Sequence, residues 1–389
     1  MTDTAPGGKP AGARLAASSL MLGNFITGVA ILAPAGMLAD LAADLTVSIS
    51  DAGLLVTFGA IVLCFGSPLM AWLTAAVDRR LLLAATLAVL AAGHVASAFA
   101  PNYATLLVLR LVMLAVAAIF TPQAASTIAL IVPQKERPSA ISFVFLGWSL
   151  SVAIGLPLVT FTADHFSWRI TYGAIGAAAG LVLLVTAISI PAGLRGEPLS
   201  LKSWGTIARN RLIVLLLAIT TLWMSGQFTI FPYLGPLLAK LADATPQVIA
   251  AFFALMGVSG FIGNVIATRL VTHIGAFNTS LFFLLSLLAG TVVWLLGAGS
   301  LPILGTGVTL LGLGFAALNS MQQARLVVAA PELASATVAL NTSCIYVGQA
   351  IGSGLGGVLL SHGLLVPVGY VATAFMVLAL VVLALTRQS

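Results

Sequence analysis

The chain of 389 residues predicts an all-α membrane protein, with twelve transmembrane helices in two pseudo-symmetric bundles of six. Three observations carry that expectation. Hydrophobic residues make up 60% of the chain and charged residues only 7%, with a mean hydropathy of +1.14, whereas soluble domains are roughly a quarter charged. Apolar stretches of about 20 residues, enough to cross the hydrocarbon as a helix, recur twelve times between short polar breaks. The second half of the chain can also be laid on the first in a single register.

Taken in order, the first six spans are expected at 15–39, 51–76, 81–100, 103–131, 138–162 and 169–192. The fourteen residues ahead of them, MTDTAPGGKPAGAR, are polar and rich in Gly and Pro. They read as a short disordered cytoplasmic tail (1–14), because the apolar stretch that follows is longer than the core of a cleaved leader. The longest break, GLRGEPLSLKSWGTIARNR (193–211), reads as a cytoplasmic linker between one bundle at 15–192 and a second at 212–389. The remaining spans are expected at 212–239, 247–271, 277–298, 301–328, 333–361 and 364–386.

With both termini cytoplasmic, thirteen of the 16 lysines and arginines fall on the inner side, only Arg169 and Lys240 fall on the outer, and Arg110 is left inside the membrane. That bias sets the orientation and supports an even number of spans. The formal charge of +6 therefore reports topology, not nucleic-acid binding. Cys64 and Cys344 both fall inside expected helices, too few and too apolar in setting for a disulfide framework or a metal site.

The internal repeat is carried by particular residues. Pro133 falls against Pro331, Ser139-Ala140 against Ser335-Ala336, Gly155 in AIGLP against Gly352 in AIGSG, and the loop position Asp78 against Gly275. The offsets are 198, 196, 197 and 197, so one register holds across the third, fourth and fifth spans of each half. Parallel six-helix repeats about an axis along the membrane normal place a substrate site at mid-depth between them.

The stretches LADLAADLTVSISDAGLLVTFGA (38–60), WLTAAVDRRLLLAA (72–85), SFVFLGWSLSVAIGLPLVTF (142–161), WRITY (168–172) and FTIFPYLGPLL (228–238) carry a resemblance that extends over nearly the whole chain. On them the sequence resembles the major facilitator superfamily, and within it the bacterial twelve-helix drug:proton antiporter branch that includes arabinose-efflux-type permeases. The resemblance implies the two-bundle facilitator fold and alternating access. It also has departures. The family loop G-x-L-x-D-R-x-G-R-R here places Ala71, Leu73, Ala75, Ala76, Asp78, Arg79 and Arg80 at its positions, so only the basic end, Arg79 and Arg80, survives of the gating charge cluster. The fourth-span motif R-x-x-x-G survives as Arg110 followed by Leu114. The fifth-span antiporter motif is the variant Gly155-Leu156-Pro157-Leu158-Val159-Thr160, in which glycine permits close helix approach and proline bends the helix. The glutamate that many members carry in the first span is replaced by Ile31.

Arg110 lies about seven residues from the outer end of the fourth span, roughly 10 Å at 1.5 Å per residue. An arginine at the middle of a membrane helix costs about 2.5–3.5 kcal/mol on insertion scales and usually marks a functional interior. No carboxylate is expected at mid-membrane, and Asp40, at the outer end of the first span beyond Pro34, is the nearest acidic candidate. Arg110 is therefore expected to pair with Asp40 in one state of a transport cycle and to be released in the other, or to face the cavity and attract an anionic or carbonyl-bearing substrate.

Polar residues inside the spans should face neighbours or water rather than lipid. Thr342, Tyr346, Gln349 and Ser353 form a single polar stripe on the eleventh span, at spacings of 4, 3 and 4. The tenth offers Asn319, Gln322 and Gln323, and the seventh offers Trp223, Gln227 and Phe231. Asn24 and Thr27 on the first, Thr121 and Gln123 on the fourth and Trp148 on the fifth complete the candidate substrate-binding set, which interhelical hydrogen bonding would equally explain. An apolar pocket with aromatic walls and a few amides suits a small amphipathic or polyhydroxyl compound. His94, inside the third span, is a possible proton relay or a packing residue.

The sequence contains no Walker motif, H-E-x-x-H, nucleophile elbow or paired intramembrane aspartates, so ATP-driven pumping and intramembrane proteolysis lack their chemistry. The expectation is a secondary transporter, not an enzyme, without cofactor or metal. It would be a monomer in the lipid bilayer of the bacterial cytoplasmic membrane, exporting a small drug-like or sugar-like compound in exchange for protons. The alternative is uptake or facilitated passage of a sugar, nucleoside or organic anion without proton exchange.

Overall fold

The computed structural model describes residues 11–74, 76–195, 209–330 and 334–387. Its first six spans are Ala11–Gly36, Ile49–Leu73, Arg79–Ala98, Tyr103–Ile131, the pieces Arg137–Leu150 to Leu156–His165, and Trp168–Ser189. The second six begin with Arg211–Ala242 and end with Leu301–Ala329, Ala334–Ser361 and Leu365–Leu385. Between them runs a kinked 50-residue helical segment, Pro246–Leu295. It is two spans, because Gly275 inside it has φ 78° and ψ 167°, a conformation open to a residue without a Cβ. Eleven continuous apolar helices among the described residues thus make the twelve spans expected. Gly275 turns the chain where the repeat register sets it against Asp78.

The start of the first helix differs from expectation. Residues 11–14, read as disordered tail, are already helical, since the Ala-rich AGAR favours helix and continues directly into the apolar run. Residues 1–10 of that tail, 196–208 of the linker and Pro331 of the repeat lie outside the described residues. Side-chain caps start several spans: Asp78 Oδ1 accepts from Leu81 N at 3.1 Å, and Asn102 Oδ1 from Thr105 N at 2.9 Å. Ser167 Oγ accepts from Ile170 N at 3.2 Å.

Prolines account for the irregular segments. Each removes a backbone N–H and leaves a carbonyl one turn earlier without its helical partner. The fourth span breaks between Ala117 and Phe120, just ahead of Pro122. The fifth carries a π segment, Ser151–Gly155, just ahead of Pro157, and the seventh a 3-10 turn, Phe231–Tyr233, around Pro232. Pro34 sits inside the unbroken first helix.

Within each half the fifth span packs on the first and the third on the sixth, and the seventh–eleventh and ninth–twelfth pairs repeat this. The approach is close enough to exclude side chains at equivalent glycines. A Cβ on Gly155 would lie 2.3 Å from Val29, and one on Gly352 would lie 2.2 Å from the Ser225 carbonyl. Between the halves, the second span packs on the eleventh and the fifth on the eighth, a pairing that the same two-fold relates. Large apolar side chains such as Phe65, Leu181 and Ile188 point outward, as a lipid-facing surface requires.

Inner and outer are used here in the sense set by the charge bias. On the outer side the seam between the halves is closed. Ser50 Oγ donates to Gly357 O at 2.8 Å, Thr57 Oγ1 and Ser353 Oγ lie 2.9 Å apart, and Gln247 Nε2 donates to Asp164 Oδ2 at 3.4 Å. Tyr233 is the wedge of this seam. It is fully buried, its hydroxyl donates to Ser353 O at 2.8 Å, and its ring fills the notch left by Gly53, where a Cβ would lie 2.2 Å from the hydroxyl.

Candidate substrate and coupling site

Arg110 is 1% exposed and is held by backbone. Its Nε donates to Leu55 O of the second span at 2.8 Å and its Nη1 to Ala30 O of the first at 3.1 Å, while Nη2 reaches Ile31 O. Ala30 precedes Pro34 by four residues, so its carbonyl is the one that the proline's missing N–H leaves open. Arg110 supplies that missing donor. Ile31 stands where the resemblance implies a glutamate, and here its main-chain oxygen accepts from the guanidinium. Charge-assisted hydrogen bonds to three carbonyls make the burial of the charge tolerable without a counter-ion.

In the first half a chain of hydrogen bonds links three spans at mid-depth. Trp148 Nε1 donates to Thr121 Oγ1 at 3.0 Å, Thr121 Oγ1 to Asn24 Oδ1 at 2.9 Å, and Asn24 Nδ2 to Val144 O at 3.0 Å. Trp148 and Thr121 are half-buried, so this chain has an open edge. Thr27, one turn beyond Asn24, is buried with no partner for its hydroxyl among the described residues.

In the second half, Trp223, Gln227 and Phe231 share one face of the seventh span. Trp223 meets Phe315 of the tenth edge-on at 5.8 Å, and Phe231 meets Phe253 of the eighth at the same separation. Gln227 lies one turn from each, 1% exposed, and both atoms of its amide lack a partner among the described residues, as does Trp223 Nε1. Leaving a buried polar atom unsatisfied costs about 1–3 kcal/mol.

Most of the chain answers to one family. It matches the Major Facilitator Superfamily over residues 20–352. The chain belongs to that superfamily. It is 28% identical over 351 residues to a "Probable sugar efflux transporter" of Mannheimia succiniciproducens, covering 89% of this chain and 87% of that one. It is also 28% identical over 377 residues to "Inner membrane transport protein YdhP" of Escherichia coli K12, covering 95% and 96%. Among solved structures, the fold matches an inward-facing, occupied bacterial homolog of the human lysosomal transporter Spinster, with TM-score 0.77, 15% identity and 98% of each chain. The nucleoside transporter NupG matches with TM-score 0.77 and 12% identity, over 96% of this chain and 99% of that one. This facilitator is a multi-pass membrane transporter, not an enzyme.

Several expected site residues of the facilitator take other partners. Asp40 is not bonded to Arg110 in this conformation. It sits on the short outer helix Leu38–Asp44, lining an open depression of about 390 Å3 with Asp44, Trp168 and Arg169. Burial, and then the negative charge of Asp164, hold its carboxyl above the usual carboxylate range. The carbonyls of Ala30, Ile31 and Leu55 are nearer the guanidinium and already use its three nitrogens. Gln123 is not free for a substrate, because its Oε1 accepts from Arg79 Nη1 near the inner end of the third span. Arg79 is buried and Arg80 half-buried. Asp78, beside them, is pulled below the usual carboxylate range by the Leu81 N–H first and by the Gly193 N–H.

On the eleventh span Tyr346 and Gln349 are buried on the expected stripe, whereas Thr342 Oγ1 turns back to Val338 O at 3.1 Å, and Ser353 belongs to the outer seam. On the tenth, Gln322 Nε2 donates to Leu216 O at 3.0 Å, and Asn319 Oδ1 receives Asn341 Nδ2 at 3.4 Å. Asn341, in turn, accepts from Thr220 Oγ1 at 2.7 Å. Asn341, Thr220 and Tyr233 were not singled out by sequence reasoning. The pattern of a polar residue recurring at helical spacing hides an amide that sits one position off the stripe.

Proposed function

We propose that this facilitator exports a small, neutral, amphipathic compound of sugar-like character from the bacterial cytoplasm in exchange for protons, as a monomer with both termini inside. The Gln227 amide carries the reading. It is a buried donor and acceptor pair with no partner among the described residues, set in an aromatic wall, and suited to a hydroxyl-rich ligand with an apolar face. The other candidate groups, namely Trp223, Thr27 and the Trp148–Thr121–Asn24 chain, are all uncharged, which favours a neutral ligand over an ion. Relatives named as sugar efflux transporters support the same class.

Transport follows from exchanging one seam for another. The outer contacts at Ser50, Thr57, Tyr233 and Gln247 break as the halves rock, and the site between them opens outward. The test is flux in proteoliposomes with an imposed pH gradient, using a panel of neutral mono- and disaccharides and thioglycosides. Gradient-driven accumulation that Gln227→Leu lowers at least tenfold supports the proposal. Equal flux with and without the gradient overturns proton exchange, and equal flux in Gln227→Leu overturns the site.

A further inference from the structure

The contact between Trp223 and Phe315 separates two polar layers of the second half. Outward of it, one turn along the seventh span, is Gln227. Inward of it are Thr220, three residues back along the seventh, and Asn319, one turn on along the tenth, since the two spans run in opposite directions. Asn341 of the eleventh joins them: it is buried, accepts from Thr220 Oγ1 at 2.7 Å and donates to Asn319 Oδ1 at 3.4 Å. Gln323 Nε2, a turn further inward, donates to the same oxygen at 3.5 Å. Beyond these, Gln322 Nε2 holds Leu216 O at 3.0 Å, so the seventh and tenth spans stay level from the aromatic pair inward. The layers differ in access. Gln227 and Trp223 are each 1% exposed, whereas Phe315, Asn319 and Gln323, spaced by four on one face of the tenth span, are half-buried, and Val327, a turn nearer the inner end, is exposed. Amides on such a face meet water and not lipid. The partly open face therefore runs from the inner end up to the Phe315 ring. Both bonds to Asn319 Oδ1 are longer than the usual limit of about 3.2 Å for N–H···O. They leave the Asn319 N–H groups and Gln323 Oε1 without a partner among the described residues. A ligand hydroxyl, donor and acceptor at once, can displace either long bond and use those groups.

We propose that Asn319, Gln323 and Asn341 form a second, inner binding station for a neutral, hydroxyl-rich ligand, and that the Trp223–Phe315 pair is the door between it and Gln227. The inference rests on the Gln227 reading and adds the step that comes before it. Thr220 and Gln227 are seven residues apart on one helix, roughly 10 Å at 1.5 Å per residue, so a single sugar ring occupies one station at a time. A ligand entering from the inner side meets the amides first, and its hydroxyls replace the two long bonds to Asn319. Part of its water is thus exchanged for protein before it enters the drier layer, where burying an unpaired hydroxyl is costly. The rings then part, and the Gln227 amide and Trp223 Nε1, both unpartnered, take over the hydroxyls. The outer seam stays closed throughout, through Ser50, Thr57 and Tyr233.

Two measurements decide it. Equilibrium dialysis of radiolabelled isopropyl thiogalactoside against protein in nanodiscs reads the sites per chain, with a melting curve for each variant as the check on folding. Two sites are expected in wild type, one in Gln227→Leu, one in Asn319→Ala with Gln323→Ala, and none when all three are changed. One site in wild type and none in Gln227→Leu overturns the inner station and leaves the Gln227 reading standing. One site in both overturns the Gln227 reading and, with it, the order of two stations, and no binding to wild type overturns the ligand class. The door is read by labelling in inside-out vesicles, in a background lacking Cys64 and Cys344. There Gln323→Cys is expected to react with an impermeant maleimide at least tenfold faster than Gln227→Cys, and Phe315→Ala to bring the two within threefold. Equal rates with Phe315 in place, or no gain on its removal, overturn the door.

Discussion

The clamp on Arg110 predicts an energetic coupling between two residues that never bond to each other's side chains. Pro34 opens the Ala30 carbonyl and Arg110 fills it at 3.1 Å. Burying the guanidinium costs about 2.5–3.5 kcal/mol. Hydrogen bonds to a charged group are worth about 1.5–3 kcal/mol each, and the three carbonyls together exceed that cost. Arg110→Ala is therefore expected to destabilise the protein by about 1–6.5 kcal/mol, the excess of gain over cost. Arg110→Lys should recover only part of the loss, because an ammonium cannot span carbonyls on two spans as the planar fork does. In a Pro34→Ala background the new N–H takes over Ala30 O, so the penalty for Arg110→Ala should shrink by about 1–2 kcal/mol, the worth of one such bond within a membrane. Reversible unfolding in mixed SDS micelles, followed by tryptophan fluorescence, closes the double-mutant cycle. Penalties equal within about 0.5 kcal/mol in the two backgrounds would refute the reasoning, since that is the additivity of independent sites.

Other expectations follow from single contacts. Gln227→Leu removes a buried amide without partners, so it should raise stability by about 1–3 kcal/mol in the same unfolding assay while lowering transport. A loss of stability instead would show that the amide is satisfied within the protein. Gly53→Ala puts a Cβ 2.2 Å from the Tyr233 hydroxyl, which its bond to Ser353 holds in place, so the outer seam should open. In a background lacking Cys64 and Cys344, a cysteine substituted for Ser50 should then react about tenfold faster with an impermeant maleimide, a shift of about 1.4 kcal/mol. Asp40 has a folded-state pKa above its ordinary 3.8, so its contribution to stability is full below that value and is lost as the pH rises through the folded pKa. Asp40→Asn should therefore raise the melting temperature at pH 7, with a gain that shrinks as the pH is lowered toward 4; a gain independent of pH would place the cause elsewhere.

Much of the fold was legible because a membrane helix must satisfy its own backbone and expose apolar side chains along its whole length. Every expected span from the second to the twelfth lies within a few residues of a helix in the structure. The repeat was legible for the same reason, since Gly155 and Gly352 answer to equal helix approaches in the two halves. The candidate site was legible as a set of residue types but not as a set of partners. Asn24, Thr121 and Trp148 do meet, because polar side chains without water seek one another. Gln123 and Asp40 have other neighbours in this conformation, because a spacing along one helix does not say which neighbouring helix stands opposite.

By itself, then, the sequence determined that the chain crosses the membrane twelve times and which helices carry polar groups, both consequences of hydropathy. Only the tertiary structure decided that Pro34 opens a carbonyl for an arginine eighty residues away, that Tyr233 wedges into Gly53, and that Gln227 is left without a partner. The physical reason is that hydropathy acts residue by residue along the chain. A hydrogen bond between helices depends on rotation and depth to within an ångström, and these are set only when all the helices pack at once.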